Sequence, residues 1–499
     1  MLARSILKDD WLKDDWRWNT QLNYGCLVTA LNFERATELA RRLHARELSA
    51  VECLEAHLTQ IARVDPDVNA ICTLDAEAAS ARAKELDAAA ARGDALGPLH
   101  GLPIAIKDLE LTKGIRTTFG SPIYKDHVPE TSALFVERLE AAGAVVIGKT
   151  NTPEFGAGSQ TFNPIFGRTT NPYDVTKTCG GSSGGAAVAV TCGMLPFADG
   201  SDLGGSVRNP PSFCNVVGLR TSPGRVPRWP NLAPWSSLAV LGPIARNVED
   251  AALLLSVMAG PDERDPLSLQ EPSELFREPL ERDVRGVRLA VSPDLGSFPV
   301  QKDVLDIFER AVDAFAAMGC RVERAHPDFT GADEIFQILR AHGFAMAHAQ
   351  DLENHRSLMK ETVVWNIEKG LALSGDEVAR AQVRRGELYH RVRRFMQDYE
   401  FLLLPVTQVS PFDIGTEWVR SIAGIAMDSY IDWMRSCFYI TLTALPAMSI
   451  PAGFTPEGLP VGLQIVGRYR QERAVLELGH AFERATKVGA RRPPLADIS

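Results

Sequence analysis

The chain has 499 residues, of which 45% are hydrophobic and 23% are charged, and its formal net charge is −10. This composition is typical of a globular protein with a large apolar core, and the acidic balance disfavours a nucleic-acid-binding surface. No apolar run reaches the roughly 20 residues that a membrane-spanning helix needs, and no secretory signal peptide is visible.

The cysteines are scattered along the chain and are not arranged for metal binding or disulfide pairing. No two of them form a C-x-x-C pair, and several lie in apolar stretches. Buried free thiols are therefore the expected state, which fits a reducing compartment and predicts a cytoplasmic location. The cysteines lie at positions 26, 53, 72, 179, 192, 214, 320 and 437.

The first 32 residues are predicted to be a frayed leader ahead of the folded part of the chain. They contain the tetrapeptide KDDW at positions 8–11 and again at 13–16, with no apolar periodicity around it. Terminal segments that nothing ties down are commonly frayed. A docking tail with two tryptophan anchors is the alternative. Residues 33–490 are then expected to form the folded domain.

Apolar periodicity predicts alternating helices and strands through the first half of this domain. Ser49 and Glu52 form a capping box, and the apolar positions after them predict a helix that runs to Pro66. The remaining patterns predict helices at 77–92, 131–142 and 248–258, a strand at 144–147, a loop at 148–156 and a surface connection at 261–285.

The second half is predicted to have a helical middle between buried strands. Residues 333–398 have a mostly helical pattern and many aromatic and methionine side chains, which are typical of a core or of the wall of a large apolar pocket. Strands are predicted at 287–291, near 322, at 401–406 and within 443–451 and 458–467, and helices at 303–318 and 475–485.

One buried strand is predicted to end at Lys107, after the apolar residues 104–106. The strand would then deliver a single ammonium group to its own tip. A lysine whose side chain extends out to solvent gives the same pattern, so the local sequence leaves both interpretations open. Lys149 is a second candidate base, but it follows Gly148 and is predicted to be a loop residue.

Two glycine-rich serine segments lie close together, GGSSGG at 180–185 and DLGGSVR at 202–208. Glycine lets the backbone approach a ligand closely, so that free N–H groups can converge on an anion. A flexible linker has a similar composition, although the flanks here are apolar. Gly180-x-Ser182-x-Gly184 also matches the nucleophile elbow of α/β-hydrolases.

Together these segments resemble the signature of the amidase signature family of serine hydrolases. The resemblance rests on the double-Gly, double-Ser, double-Gly block, the small-residue helix after it, and the Asp-x-Gly-Gly-Ser-x-Arg block at the expected distance. It implies that Ser206 is the nucleophile and that Ser182 is a relay serine preceded by a cis peptide bond. Lys107 falls in a Gly-x-Pro-x-x-x-Lys-Asp block, which implies that it is the catalytic base. The resemblance extends over residues 33–485.

The resemblance also assigns an oxyanion hole to the second serine segment. The backbone N–H groups of Leu203, Gly204, Gly205 and Ser206 would bind the oxygen that becomes negatively charged during attack on a carbonyl. Two adjacent glycines permit the close approach that such binding requires.

Further residues are expected to support the triad or to border the substrate. Ser183, Asp202 and Arg208 would support the catalytic groups, although an ordinary ion pair near a loop would have the same sequence. Phe155 and Gly156 lie in a loop that resembles one bordering the substrate channel of the family.

The resemblance implies an α/β fold with a mixed, twisted β-sheet covered by helices on both faces. The signature core is expected at about residues 101–246, and a variable region that shapes the substrate pocket at about 264–443. A serine hydroxyl is a weak nucleophile until a base takes its proton, and lysine can act as that base only when burial lowers its pKa. The expected reaction is hydrolysis of a carboxylic amide through an acyl-serine intermediate on a Ser-cisSer-Lys triad.

The expected substrate is a small neutral amide, apolar or aryl, because the middle segment is rich in aromatic and methionine residues and has few charge clusters; esters and carbamates also fit the chemistry. No metal ligand pattern is visible, so no cofactor is expected. A homodimer is left open, and neither nucleic acid nor a membrane is an expected partner.

Three other functions are left as alternatives. The first is the glutaminase subunit of a tRNA-dependent amidotransferase, which belongs to the same family and works with partner subunits. The second is an α/β-hydrolase esterase that uses Ser182 with a distant histidine such as His480. The third is a binding protein with a degenerate site, which the intact Lys107, Ser182 and Ser206 disfavour.

Overall fold

The structure, a computed structural model, describes residues 31–496. The predicted leader and its duplicated tetrapeptide therefore lie outside the described residues, except for the last two positions of the leader. Those two residues, Leu31 and Asn32, are buried. The Asn32 amide donates hydrogen bonds to the backbone oxygens of Ala56 and Gly193, so the folded part of the chain includes them.

The helices are numbered here in chain order. They are α1 Ala36–His44, α2 Ala50–Val68, α3 Ala76–Arg92, α4 Leu134–Ala141, α5 Gly184–Thr191, α6 Asn209–Cys214, α7 Val248–Met258, α8 Lys302–Ala317, α9 Ala332–His355, α10 Glu361–Leu371, α11 Gly375–Asp398, α12 Arg435–Leu442 and α13 Glu472–Thr486.

The strands are numbered in the same way. They are β1 Ile71–Leu74, β2 Pro103–Lys107, β3 Val145–Thr150, β4 Phe162–Asn163, β5 Gly167–Arg168, β6 Thr170–Asn171, β7 Asp174–Thr178, β8 Phe197–Asp202, β9 Val217–Arg220, β10 Val240–Ala245, β11 Arg288–Val291, β12 Arg321–Arg324, β13 Phe401–Pro405, β14 Ser421–Ile422, β15 Ile425–Ala426, β16 Ala447–Phe454 and β17 Pro460–Val466.

The central sheet is mixed, as the sequence predicts. It has eight strands in the order β12-β11-β13-β17-β16-β9-β10-β8. Strand β11 pairs in parallel with β12 and β13, whereas the remaining neighbours pair antiparallel. A smaller sheet, β1-β3-β2, packs against β8 and carries Lys107 at the end of β2.

Both faces of the central sheet are buried, which confirms the expected layering. Successive side chains of a strand point to opposite faces. In β13, Leu403 belongs to the core cluster that contains α7 and α13, whereas Leu402 and Leu404 belong to the cluster that contains α9, α11 and α12. Helices therefore cover the sheet on both sides, and the fold is α/β.

The predicted helices and strands of the domain are present, with ends that shift by a few residues. The capping box of Ser49 and Glu52 is formed and starts α2. The prediction that Lys149 is a loop residue is wrong, because β3 continues to Thr150 and pairs with β2 along that length. The connection at 261–285 also contributes to the core, since Phe276 is buried within it.

No helix within residues 31–496 combines the length and the apolarity that crossing a membrane would require.

A matched pair of helical glycines tests the packing of helices α9, α10 and α11. A Cβ atom on Gly370 of α10 would lie 2.0 Å from the backbone oxygen of Ala341 in α9, whereas a Cβ atom on Gly386 of α11 would meet nothing within 4 Å. We expect Gly370→Ala to destabilise the protein by about 1–3 kcal/mol through overpacking. Gly386→Ala should instead stabilise it by about 0.5–1 kcal/mol through helix propensity and chain entropy.

Urea midpoints of the two variants, measured beside the parent protein, check this expectation. Equal stabilisation by both substitutions would show that α9 and α10 do not pack as closely as described.

Candidate active site

Lys107 lies at the buried end of β2, where its side chain meets three serine hydroxyls. Its Nζ donates to the Oγ atoms of Ser182 at 2.8 Å, Ser183 at 2.8 Å and Ser201 at 3.0 Å. A lysine ammonium has three N–H donors, so all of them have a partner here. The lysine therefore points inward among serines and does not extend to solvent.

Burial suits Lys107 to accept a proton. Loss of solvation lowers the pKa of Lys107 to about 8, although the carboxylates of Glu110, Asp199 and Asp202 favour its charged form. Lysine in water has a pKa of about 10.4, so this environment makes the neutral amine much more accessible near physiological pH.

Asp199 holds the end of β2 in position. Its Oδ1 accepts a hydrogen bond from the backbone N–H of Lys107 at 2.9 Å, across from β8. The residue is fully buried, and within residues 31–496 its Oδ2 has no hydrogen-bond partner. Burial, with a further contribution from Glu110, raises the pKa of Asp199 to about 7. Neither Asp199 nor Ser201 was identified from the sequence.

Lys149 is buried but occupied elsewhere. Its Nζ donates to the backbone oxygen of Glu110 at 2.5 Å and to Oγ1 of Thr112 at 2.8 Å. Burial lowers the pKa of Lys149 as well. Since its bonded neighbours are not the serines of the glycine-rich segments, it is a poorer candidate base than Lys107.

Ser182 is held at a turn that brings the backbone of a second loop against it. The peptide bond between Gly181 and Ser182 is cis. A Cβ atom on Gly156 would lie 3.4 Å from the Oγ of Ser182, so the glycine there allows close approach. The neighbouring Phe155 has a φ of 48° and packs its ring 4.1 Å from that of His348. The structure thus brings Phe155 and Gly156 to the candidate site.

Asp202 organises the second serine segment from inside. Its carboxylate accepts hydrogen bonds from the backbone N–H groups of Gly205 at 3.0 Å and Val207 at 3.1 Å. Arg208 donates to both of its oxygens at 2.8 and 2.9 Å, and Arg220 donates to one at 3.0 Å. Burial alone would raise the pKa of Asp202, but the two guanidinium groups outweigh it and hold that pKa well below its usual range.

Arg208 connects this loop to helix α12 and strand β17. It donates to Oε1 of Gln464 at 2.7 Å, to the backbone oxygen of Cys437 at 2.9 Å and to Oγ1 of Thr441 at 3.0 Å. Arg208 and Arg220 are both fully buried. Sequence reasoning missed Arg220, because nothing in its own segment indicates that it faces Asp202 across the sheet.

The expected oxyanion hole needs one correction. The N–H of Gly205 donates to the buried carboxylate of Asp202, so the Gly205 N–H is not available to a substrate. In the described part of the chain, the N–H groups of Leu203, Gly204 and Ser206 have no partner, and these three residues are partly exposed. Of the four expected donors, the carboxylate therefore uses the Gly205 N–H to fix the loop and leaves the other three unbonded.

Ser206 lies in the turn that leads into α6 and is partly exposed. Its hydroxyl makes no hydrogen bond to a side chain within residues 31–496, so Ser182 and Ser206 are not joined by one here. The backbone of Gly205 is closely enclosed, since a Cβ atom there would lie 2.7 Å from the Cβ of Cys437 in α12. The loop is thus fixed while the serine side chain stays accessible.

One face of α9 packs against the second serine segment and against the loop of Phe155 and Gly156. Phe336, Arg340, Phe344 and His348 recur every four residues and so share one side of the helix. The ring of Phe336 lies 3.5 Å from the position of a Cβ on Gly204, and His348 packs on Phe155. The aromatic side chains predicted for this region therefore lie on one face of α9, and the buried guanidinium of Arg340 lies between them.

The histidine of the alternative elbow mechanism lies in a different environment. His480 is on α13, and its Nε2 is 4.0 Å from the carboxylate of Glu249. The hydrogen-bond donor to Ser182 is Lys107 and not a histidine. The contacts of both residues thus favour a lysine base over a Ser–His pair.

Comparison with known proteins places this geometry in a family. The chain matches the family described as Amidase over residues 52–476. It is 37% identical over 466 residues to an acylamidase of Rhodococcus erythropolis, and the aligned region covers 93% of this chain and 98% of that protein. It is also 35% identical over 487 residues to a glutamyl-tRNA(Gln) amidotransferase subunit of Methylococcus capsulatus, covering 91% and 98% respectively.

A solved structure agrees with these sequence matches. The crystal structure of a bacterial aryl acylamidase belonging to the amidase signature enzymes superimposes with a TM-score of 0.87 at 27% identity, covering 93% of this chain and 100% of that one. The resemblance seen in the serine segments is therefore confirmed along almost the whole chain. The chain belongs to the amidase signature family and is a hydrolase that acts on the carbon–nitrogen bonds of amides.

Proposed function

We propose that this enzyme hydrolyses an apolar or aryl carboxylic amide through an acyl-serine intermediate on Ser206, with Ser182 as proton relay and Lys107 as base. The observation that carries the proposal is the hydrogen bond from the buried Lys107 Nζ to Ser182 Oγ, beside an accessible Ser206. A buried lysine with a lowered pKa can take a proton that a solvated one would not.

The reaction follows from the order of these groups. Neutral Lys107 takes the Ser182 proton, Ser182 takes the Ser206 proton, and Ser206 Oγ forms a bond to the amide carbonyl carbon. The carbonyl π electrons move to the oxygen. When the tetrahedral intermediate collapses, the C–N bond breaks and the relay returns the proton to the leaving amine. Water then attacks the ester by the same route and releases the acid.

The negative oxygen of the intermediate would bind to the N–H groups of Leu203, Gly204 and Ser206. Removing one donor of this type typically costs about 3 kcal/mol of transition-state stabilisation. Asp202 would act through the loop backbone, because its buried carboxylate accepts the N–H groups of Gly205 and Val207.

The aromatic face of α9 supports an apolar or aryl substrate. Phe336 lies over Gly204, and Phe344 and His348 continue the same wall toward Phe155. A relative named as an acylamidase and a neighbour named as an aryl acylamidase point the same way. Esters and carbamates fit the same acyl-transfer chemistry. A cytoplasmic location is part of the proposal, because the cysteines of the described residues are free.

The glutaminase subunit of a tRNA-dependent amidotransferase is the second candidate function. It is supported by several relatives that are named as glutamyl-tRNA(Gln) amidotransferase subunits, at 33–35% identity over more than nine-tenths of the chain. Such a subunit would release ammonia from glutamine and would co-purify with partner subunits.

Turnover of acetanilide and of glutamine distinguishes the two candidates. We expect kcat/KM for the anilide to exceed that for glutamine at least tenfold, because the pocket wall is aromatic and a tenfold ratio needs only about 1.4 kcal/mol. Released aniline and released ammonia are the two readouts. Faster turnover of glutamine would favour the amidotransferase function.

Covalent labelling identifies the nucleophile. A fluorophosphonate should label Ser206, and Ser206→Ala should abolish labelling. Ser182→Ala should lower kcat by several orders of magnitude but leave Ser206 open to slow labelling, since only the relay is lost. His480→Ala is the control and should retain activity. Peptide mapping reads the result, and a label on Ser182 would support the α/β-hydrolase elbow instead.

The pH profile tests the base. Lys107 must be neutral to accept a proton, and its pKa is about 8, so activity should rise as the pH passes through about 8 and level off above it. Lys107→Ala should lose most activity at every pH. Lys107→Arg should not restore it, because a guanidinium stays protonated. Normal activity in Lys107→Ala would refute the assignment.

A further inference from the structure

Strand β8 contacts Lys107 at both ends of that residue. Asp199 Oδ1 accepts the backbone N–H of Lys107 at 2.9 Å, and Ser201 Oγ accepts a hydrogen bond from its Nζ at 3.0 Å. Alternate residues of a strand point to the same face, so Asp199 and Ser201 both point toward Lys107. Gly200 between them leaves room for another hydroxyl, since a Cβ atom there would lie 2.9 Å from Ser183 Oγ. The Asp199 carboxylate is therefore fixed relative to the lysine side chain.

The hydrogen bonds of Asp199 do not account for its charge. The residue is fully buried, and in the part of the chain that the structure describes its Oδ2 has no partner. A neutral amide or hydroxyl oxygen accepts a backbone N–H as well as a carboxylate does. Burying a carboxylate with a single hydrogen bond is costly. A negative charge at this position therefore has a role other than holding the end of β2.

Three carboxylates favour the charged form of Lys107 against burial, namely those of Glu110, Asp199 and Asp202. Glu110 is partly exposed, so solvent screens its charge. Asp202 is paired with two buried guanidinium groups. Asp199 is fully buried and forms no ion pair within residues 31–496. Of the three charges, that of Asp199 is therefore neither screened by solvent nor neutralised by a contacting partner.

The Asp199 carboxylate is ionised in the pH range in which Lys107 would work. Burial raises the pKa of Asp199 to about 7, and Glu110 raises it further, whereas Lys149 and Lys107 favour the charged form. The pKa of Lys107 is about 8. As the pH rises, Asp199 therefore loses its proton before Lys107 does, and the negative charge is present when the amine becomes neutral.

We propose that Asp199 is a positioning residue for the reaction, which holds the end of β2 and, through its buried negative charge, sets the proton affinity of Lys107. This inference rests on the proposed function, in which Lys107 is the base. A nearby negative charge favours the protonated form of an amine. The carboxylate thus makes neutral Lys107 a stronger base and raises the pH at which the neutral form appears. Asp199 acts only through Lys107.

The pH dependence of Asp199→Asn tests this role. Asparagine keeps an oxygen for the Lys107 N–H and removes the charge. Two rates are followed against pH, namely kcat/KM for acetanilide and the labelling of Ser206 by a fluorophosphonate. We expect the midpoint of both profiles to fall by about one pH unit, because the ammonium form loses a favourable charge. The plateau rate should fall roughly threefold, because the neutral amine is a weaker base.

A conservative variant and a matched control separate this effect from a structural one. Asp199→Glu keeps the charge, so its midpoint should stay near that of the parent protein even where the longer side chain lowers the rate. Asp108 directly follows Lys107 and is also fully buried, but its two oxygens accept hydrogen bonds from Thr118. Its charge acts on Lys149. Asp108→Asn should therefore leave the midpoint unchanged.

A purely structural role for Asp199 would lower the rate at every pH without moving the midpoint. An unchanged or raised midpoint in Asp199→Asn would thus overturn the inference, as would an equal shift in Asp108→Asn. If the melting temperature shows that the asparagine variant does not fold, Asp199→Ser provides the same comparison with a smaller neutral acceptor. Normal activity in Lys107→Ala would instead refute the proposed base, so the two failures are distinct.

Discussion

The site depends on one ammonium group held away from water among hydroxyls. Lys107 forms no ion pair within residues 31–496, and its three donors all end on serine oxygens. A buried charge without a contacting countercharge is costly, and this cost lowers the pKa of the amine. The rest of the structure keeps that arrangement in place. Strand β2 delivers the lysine, Asp199 fixes the end of the strand, and Gly156 and Gly200 leave room for the hydroxyls of Ser182 and Ser183.

The second serine segment is stabilised by the opposite arrangement, a fully paired charge. Asp202 is ionised because two buried guanidinium groups and two backbone N–H groups converge on it. Breaking such a network by removing one partner is usually costly, because it leaves an uncompensated charge in the interior. The ion pairs and hydrogen bonds of Asp202 therefore hold the loop of Ser206 in place. Lys107 has no ion-pair partner in the described part of the chain, and the resulting low pKa makes its neutral amine more available as a proton acceptor.

Much of this site could be predicted from the sequence, and the limits have a physical cause. Ser182 and Ser206 lie in glycine-rich blocks and Lys107 lies in a Gly-x-Pro-x-x-x-Lys-Asp block, and the resemblance to the family identifies all three. Asp199 and Ser201 lie near Lys107 only because β8 packs beside β2, which no local pattern reveals. The bonded state of the Gly205 N–H depends on where the Asp202 side chain points.

The position of helix α9 has a consequence for how such an enzyme can diversify. Its Phe336 packs against the second serine segment and its His348 against Phe155, but the helix comes from a part of the chain that contributes no member of the proposed triad. Substitutions along this one face can therefore alter which molecules are accepted without changing any group that moves a proton. Selection acting on a gene of this type can explore new substrates while the chemistry is inherited intact.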